Sequence, residues 1–244
     1  MWLPGFGASY SLSDTTTLIA GVHKGFSAPS NSPGVDEEEA INYELGVRYN
    51  SDRISTEAIY FLSDYDNLLG ECTSSSGTDC TIGDAFNGDA ATVQGLEFML
   101  TTDLNRSGGY SIPVVFNYTY IDSQFDSDIA DTGFFGDVSD GDPIPYIPEH
   151  QFNLSVGFIK NKLSGFMNVN YVDEVCVRAS CGQFERTDSS VTLDFSAHYA
   201  LSDNLDLYGK VENVTGEEDI MGRQPYGARP NKDTTASLGV RLAF

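Results

Sequence analysis

The chain has 244 residues, with 36 acidic against 13 basic side chains and a formal net charge of −23. Polyphosphate would be repelled by so negative a chain, which excludes a general nucleic-acid-binding protein, and we expect no nucleic-acid partner. A content of 40% hydrophobic and 12% aromatic residues excludes a disordered chain, because it can support an ordered sheet.

Segments in which apolar and polar residues alternate recur along the whole chain and predict an all-β protein. No amphipathic helix is predicted, and no apolar run approaches the roughly 18 residues of a transmembrane helix. In chain order, the predicted strands are 4–12, 15–25, 40–50, 53–65, 91–102, 109–121, 149–160, 162–173, 187–200, 203–213 and 234–244.

The connections between these strands alternate strictly in length. Short turns are predicted at 13–14, 51–52, 103–108, 161 and 201–202, and long loops at 26–39, 66–90, 122–148, 174–186 and 214–233. An up-and-down barrel produces this alternation, because tight turns lie at one rim and long loops at the other. A Greek-key sandwich has no reason to do so. The connections therefore favour an antiparallel up-and-down β-barrel.

The two faces of the predicted strands indicate where the barrel lies. The last strand directs Ala236, Leu238, Val240, Leu242 and Phe244 to one side, and Ser237, Gly239 and Arg241 to the other. The polar faces are rich in Asn, Ser, Thr and Gly, which is typical of a barrel interior. We predict a transmembrane barrel whose apolar face contacts outer-membrane lipid. An aromatic C-terminus is common in such barrels, so Phe244 is the predicted C-terminal assembly signal for the barrel-assembly machinery.

The number of predicted strands is odd, whereas bacterial single-chain barrels have even numbers of strands. Phe244 follows a long loop and so ends at the short-turn rim, while strand 4–12 begins at the long-loop rim. We therefore expect residues 1–244 to be the C-terminal portion of a larger barrel. The isolated chain is not expected to close, because its first strand would leave unpaired backbone groups in lipid.

The four cysteines indicate an oxidising compartment. Cys72 and Cys80 flank one predicted loop segment, and Cys176 and Cys181 flank another. Two local disulfides suit this arrangement. Zinc is the alternative, but the Cys72/Cys80 spacing exceeds the usual ligand pattern and no histidine lies nearby.

Six segments resemble, in order, motifs of the TonB-dependent outer-membrane receptors. They are Lys24–Pro29, Asn42–Arg48, Thr92–Glu97, Ile144–Gln151, Val211–Glu218 and Gln224–Pro230. The chain departs from the family pattern at Val214, Gly216 and Asn231. The segments Ile144–Gln151 and Gln224–Pro230 are most similar to the ferric-citrate-type branch.

This resemblance implies a 22-stranded barrel in the outer membrane of a Gram-negative cell, of which this chain supplies the last eleven strands. The plug domain, the N-terminal strands and the region that contacts the TonB complex are expected outside the chain. The implied function is TonB-energised uptake of a ferric chelate, either ferric citrate or a siderophore, with no cofactor. Two alternatives stay open: an outer-membrane barrel enzyme of the protease or phospholipase type, and a secreted acidic β-rich binding module.

Four arginines in the last two long loops are the candidate ligand-binding residues: Arg178, Arg186, Arg223 and Arg229. Because guanidinium groups bind carboxylates and stay charged, a cluster of them suits an anionic chelate. The alternative is that they pair with Glu185, Glu217, Glu218 and Asp219.

Two further patterns are interpreted as structural. The predicted loop 122–148 contains seven aspartates and no Lys or Arg, which favours a solvated acidic loop over a Ca²⁺ site, since the EF-hand pattern is absent. His198 shares a strand face with Asp194 and Ser196, but no nucleophile motif surrounds them. A polar barrel wall is favoured there, and no catalytic residue or metal ligand is predicted.

Overall fold

The structure is a computed structural model that describes residues 2–29, 34–72, 81–105, 108–129, 135–223 and 227–243. Among these residues all regular secondary structure is β, and every strand pairing is antiparallel. No helix in this part of the chain is long and apolar enough to span a membrane.

The described residues form fifteen strands. Their bounds are β1 Gly5–Ser11, β2 Thr16–Ser27, β3 Glu38–Asn50, β4 Ile54–Asp66, β5 Leu69–Glu71, β6 Ala85–Asn87, β7 Ala91–Asp103, β8 Pro113–Phe125, β9 His150–Lys160, β10 Leu163–Val172, β11 Ser190–Ser202, β12 Leu205–Glu212, β13 Ile220–Gly222, β14 Arg229–Pro230 and β15 Thr235–Leu242. Eleven of them form one sheet in the order β1-β2-β3-β4-β7-β8-β9-β10-β11-β12-β15, while β5-β6 and β13-β14 are separate two-stranded sheets.

The predicted all-β, up-and-down architecture is confirmed, and each predicted strand corresponds to one strand of the large sheet. One prediction is displaced: the strand expected at 109–121 spans Pro113–Phe125. Residues before Pro113 contribute only an isolated bridge between Ser111 and Ile159. The four short strands of the two small sheets were not predicted.

The register sorts side chains onto two faces of the sheet. Tyr118, Phe152, Tyr171 and Val191 lie side by side on four neighbouring strands of the apolar face. The adjacent row on the opposite face is Asn117, Asn153, Asn170 and Thr192. Here Asn153 Nδ2 donates to Asn170 Oδ1 over 2.6 Å, and Asn170 Nδ2 lies 3.4 Å from Thr192 Oγ1. On the polar face, hydrogen bonds between side chains of neighbouring strands thus add to those of the backbone.

The alternation of short and long connections is also confirmed. Strands are joined at one end of the sheet by the short segments 12–15, 51–53, 104–112, 161–162 and 203–204. At the other end lie five long loops, which we name L1 (28–37), L2 (67–90), L3 (126–149), L4 (173–189) and L5 (213–234). L2 contains β5 and β6, and L5 contains β13 and β14.

The principal buried cluster lies where L3 folds over the polar face of the sheet at the long-loop end. Ala91 and Phe125, paired on β7 and β8, are fully buried, and the L3 residues Phe135, Val138 and Ile144 pack with them. Ala179 of L4 completes the cluster. The small core of this protein therefore positions the loops, while the sheet itself keeps an exposed apolar face.

β1 and β15 are the two edges of the described sheet. β15 pairs with β12 along its whole length, from Leu205 with Leu242 to Glu212 with Thr235. Its apolar face is highly exposed, with Leu238 at 87% and Val240 at 60%. Phe244, the predicted assembly signal, lies outside the described residues.

Candidate functional site

The five long loops are joined to one another in sequence around the rim. L1 contacts L2 through Asp36 and Asn87, where the Asp36 amide donates to Asn87 Oδ1 over 2.9 Å and Asn87 Nδ2 donates to the Asp36 carbonyl over 3.0 Å. L2 contacts L3 through the edge-to-face rings of Phe86 and Phe135, whose centroids are 5.6 Å apart. The first three loops are therefore tied together by both polar and apolar contacts.

The chain of contacts continues from L3 to L5. The amide of Ala179 in L4 donates to the carbonyl of Phe135 over 3.0 Å, and the amide of Tyr146 in L3 donates to the carbonyl of Cys176 over 2.9 Å. Between L4 and L5, the amide of Asp188 donates to the Ile220 carbonyl, and the amide of Ile220 donates to Asp188 Oδ2 over 2.8 Å. All five loops thus form one continuous rim, joined by hydrogen bonds and by one aromatic contact.

L4 is a small stapled hairpin. A disulfide joins Cys176 and Cys181 with Cα atoms 5.1 Å apart, and Cys176 also forms a bridge with Arg186. The amide of Val177 donates to the Glu185 carbonyl over 2.7 Å. The disulfide and these backbone contacts restrict the conformations of the hairpin that carries Arg178 and Arg186. Cys72 is also disulfide-bonded and almost fully buried, and its predicted partner Cys80 lies outside the described residues.

L5 is held by Asn213, which is 3% exposed and has a φ of +47°. Its Nδ2 donates to the carbonyls of Glu217 and Lys232 over 2.8 and 2.9 Å, and its Oδ1 accepts from the Glu217 amide over 3.2 Å. Its own amide donates to Asp194 Oδ1 on β11 over 2.9 Å. One buried amide side chain therefore ties both ends of L5 to each other, and its backbone ties them to the sheet.

Two of the four candidate arginines meet where L4 contacts L5, and a third lies on the neighbouring strand of L5. Arg223 Nε donates to the carbonyl of Arg186. Arg229 pairs through its backbone with Gly222, and its guanidinium lies over that glycine. Arg178 is directed instead towards Gly136 of L3. The rim thus places Arg223 against the backbone of Arg186, carries Arg229 on the strand paired with β13, and sets Arg178 beside L3.

The ion pairs of these arginines differ from the alternative considered from the sequence. Arg178 does lie 3.7 Å from Glu185, but Arg186 pairs with Glu174, 2.5 Å away. These side chains are about one third to one half exposed, so each pair contributes little to stability. Within the described ranges neither Arg223 nor Arg229 forms an ion pair, which leaves their charge available at the L4–L5 junction.

The aspartates of L3 are used in part to shape the loop. Asp128 Oδ1 accepts from the amide of Asp140 over 2.9 Å, and Asp142 Oδ2 accepts from the amide of Ser139 over 2.8 Å. At the start of L3, Asp126 accepts from Thr92 on β7. In the described part of the chain, no group of three or more His, Cys, Asp or Glu residues is arranged to hold a metal ion.

The polar face below the rim contains cross-strand charge pairs. Arg48 pairs with Glu57, and His198 Nε2 lies 3.3 Å from Asp206 Oδ2. Near the rim, Glu212 joins Lys210 and Lys232 at 2.8 and 2.7 Å. Asp194 accepts from the Asn213 amide, and no hydrogen bond between described residues links His198 to Ser196. The Ser/His/Asp arrangement that the alternation permits is therefore not assembled.

Sequence reasoning did not identify three residues that organise this site. Asn213 lies inside a quoted motif but carried no assigned role, Asp188 joins L4 to L5, and Glu174 neutralises Arg186. The aromatic Phe184, 79% exposed in L4, was likewise not considered. Only Asn213 had a local signal, since an Asn at the end of a strand suits a positive φ.

Comparison with known protein families gives a match over most of the chain. The family described as TonB dependent receptor-like, beta-barrel, matches residues 1–214. The ferric enterobactin receptor PirA of Pseudomonas aeruginosa is 25% identical over 256 residues, which cover 87% of this chain and 32% of that receptor. The chain thus spans about a third of the length of this curated relative.

Solved receptors share the fold. The siderophore receptor PiuA of Acinetobacter baumannii superimposes with a TM-score of 0.77 at 17% identity, covering 98% of this chain and 35% of PiuA. The ferric citrate transporter FecA in its unliganded form gives a TM-score of 0.76 at 19% identity, covering 98% of this chain and 38% of FecA. At this level of identity the likeness establishes the fold.

Proposed function

The chain belongs to the TonB-dependent receptor-like β-barrel family, and on that premise we propose that it forms part of the barrel wall and the ligand-capturing rim of a ferric-chelate importer. Proteins of this family lie in the outer membrane, so the apolar face contacts lipid and the polar face lines the barrel. The long loops L1 to L5 then face outwards, since tight turns lie on the periplasmic side of such barrels.

The observation that carries the proposal is the pair of arginines at the L4–L5 junction. Arg223 and Arg229 are not in ion pairs among the described residues, although acidic side chains outnumber basic ones in the chain as a whole. An anionic ferric chelate would supply the missing carboxylate or catecholate oxygens, which guanidinium groups bind in a bidentate manner. The surrounding acidic rim would repel anions that lack a matching contact.

The ligand class is proposed from chemistry and from the relatives together. PirA is a ferric enterobactin receptor and FecA a ferric citrate transporter, and both ligands are anionic iron chelates. We propose a ferric siderophore or ferric citrate, with ferric citrate suggested further by the motifs at Ile144–Gln151 and Gln224–Pro230. Energy from the TonB complex would reach the receptor through a region outside this chain, and the barrel contributes binding without covalent chemistry.

Uptake of radioactive iron by cells that make the full-length receptor tests the proposal. The double variant Arg223→Gln/Arg229→Gln is expected to lose at least tenfold in affinity for its chelate. Ferric citrate and ferric enterobactin are supplied in separate arms, and the arm that supports uptake identifies the ligand. Deletion of TonB is expected to abolish uptake in that arm.

Arg53→Gln is the matched control, because Arg53 lies in the short connection 51–53 at the opposite end of the sheet. The control removes the same charge and should retain uptake. Unchanged affinity in the double variant, with a normally folded receptor, would show that these arginines do not bind the chelate. Failure of both chelates would refute ferric citrate and ferric enterobactin as ligands.

A further inference from the structure

A shallow apolar groove of about 640 Å³ crosses the lipid-facing side of the sheet from β9 to β15. Its floor is a single register row, Gly165 on β10, Ala197 on β11 and Gly209 on β12. Phe158 and Leu238 close the two ends of the row. Larger side chains flank the floor in the adjacent rows, among them Met167 and Phe195 on one side and Leu163 and Tyr199 on the other. The floor of the groove is therefore one row of three small residues between two rows that contain larger side chains.

The backbone does not require glycine at either floor position. A Cβ at Gly165 would lie 3.6 Å from its nearest neighbour, the carbonyl oxygen of Ser196, and a Cβ at Gly209 would lie 3.5 Å from Leu238. Both distances are ordinary contacts, and neither glycine has a positive φ. Glycine weakens a strand, because it gains no packing and loses more backbone entropy than other residues. Since the backbone does not need them, the structural effect of these two glycines is to form the floor of the groove.

Positive charge lies on the short-turn side of the groove, one register row outside its lining. Lys160 lies in the next register row, paired with Leu163, and Lys162 follows in the connecting turn. Lys162 Nζ donates to the Leu201 carbonyl over 3.1 Å, whereas Lys160 is exposed and in no ion pair with a described residue. Asp203, in the neighbouring connection, is the nearby acidic residue along the chain. Two basic side chains, one at the end of β9 and one in the turn that follows it, thus lie beside the groove.

Aromatic side chains at the same level indicate the depth of the groove in the bilayer. Tyr110 stacks against Phe158 with ring centroids 5.6 Å apart, and Tyr199 is 45% exposed on the row that carries Lys160. Tyr side chains and lysines of this kind concentrate at the interface between hydrocarbon and headgroups. The groove therefore begins at the headgroup level of the periplasmic leaflet and extends into the hydrocarbon.

We propose that this groove is a binding site for one phospholipid, with an acyl chain lying over Gly165, Ala197 and Gly209 and the phosphate on Lys160. The lipid-facing side chains of the groove are apolar, since the polar residues in its lining, Ser196, Lys210 and Ser237, belong to a register row of the opposite face. An ammonium group at the end of such a groove complements a lipid phosphate. The site requires the outer-membrane location and is independent of which chelate is transported.

Native mass spectrometry of the full-length receptor, extracted from membranes in a mild detergent, tests this site. The receptor is expected to retain one phospholipid. Gly165→Leu/Gly209→Leu fills the groove and should reduce the retained fraction at least tenfold. Lys160→Gln should reduce it several-fold when phosphatidylglycerol is added back, because the phosphate loses its cation. Gly165→Ala/Gly209→Ala serves as a milder filling, should the leucine variant not fold.

Ala20→Leu is the matched control, since Ala20 is exposed on the same face of β2, far along the sheet from the groove. It should retain lipid as the wild type does. Equal retention by a folded groove-filled variant would overturn the proposal. A dimer that dissociates on filling the groove would instead identify a second copy of the receptor as the occupant. Chelate uptake, measured in parallel, should stay normal in every groove variant and so separates this test from that of the proposed function.

Discussion

Asn213 Nδ2 donates a hydrogen bond of 2.9 Å to the carbonyl oxygen of Lys232 and thereby joins the beginning of L5 to its end. Both candidate ligand arginines of L5 lie between these two residues. Asn213 itself is almost fully buried, so its side of the contact is shielded from water. Asn213 is therefore a positioning residue for Arg223 and Arg229, although it lies at the end of a strand.

Replacing Asn213 by Asp should destabilise L5. The two Nδ2 donors are lost, and a carboxylate then faces the carbonyls of Glu217 and Lys232, which is expected to cost about 3 kcal/mol. Chelate affinity should fall with it, while the Asp side chain still tolerates the positive φ. Urea unfolding followed at an L5 probe measures the change. Asn161→Asp, also at a positive φ but in an exposed turn, should be neutral; an equal loss there would contradict this role for Asn213.

Removal of the L4 staple should affect the loop and not the barrel. In Cys176→Ser/Cys181→Ser the hairpin loses its covalent closure, which stabilises so short a loop by about 2 kcal/mol in the chain-entropy model. Limited proteolysis is expected to cleave L4 faster, with an unchanged thermal midpoint for the sheet. A barrel that melts earlier, or a loop that is cleaved at the original rate, would be inconsistent with a local staple.

Gly95 should tolerate no side chain. A Cβ there would lie 2.1 Å from the carbonyl oxygen of Tyr120 and 2.7 Å from Phe61, and the backbone oxygen cannot move without breaking the β7–β8 pairing. We expect Gly95→Ala to destabilise the sheet by at least about 3 kcal/mol, the upper part of the range for overpacking. Gly165→Ala is the comparison and should be neutral or slightly stabilising. Similar unfolding curves for the two variants would refute this account of the glycines.

A charge on the lipid-facing side of β9 should cost far more than one on the polar face. Leu154 and Ser155 are adjacent near the middle of the strand and lie on opposite faces. Leu154→Arg is expected to cost about 2–4 kcal/mol in a bilayer, and Ser155→Arg less than about 1 kcal/mol. Refolding into phospholipid vesicles, followed by heat-modifiable migration, measures both. The reverse order would mean that the faces are assigned incorrectly.

The strands were predictable because each long strand carries its own alternation. In β11, apolar residues recur at every second position, at Val191, Leu193 and Phe195. This alternation does not depend on the neighbouring strands and can be read from the sequence. The predicted end of β8 was wrong because that end depends on contacts with β7. Gln94 Nε2 of β7 donates to Asp122 over 3.1 Å, and the pairing of the two strands continues beyond Ile121. The strands of two or three residues in L2 and L5 are too short to show a period.

The partners of the arginines could not be predicted for a related reason. Arg186 finds Glu174 because the L4 hairpin folds back on itself, and Arg223 reaches the Arg186 carbonyl because L5 lies against L4. Both contacts depend on the relative placement of loops, which no local pattern encodes. The sequence could name the loops and the residue type of the candidate site, whereas the contacts of these arginines follow from the fold.

The link from each long loop to the next has a consequence for how such a receptor changes over evolutionary time. Asp36 with Asn87, Phe86 with Phe135 and Asp188 with Ile220 act as fixed joints along the rim. A loop exchanged from another receptor must preserve the joints on both of its sides or disturb its neighbours as well. Ligand preference is then free to drift only in the spans between joints, so recognition diversifies in short stretches while the rim keeps its shape.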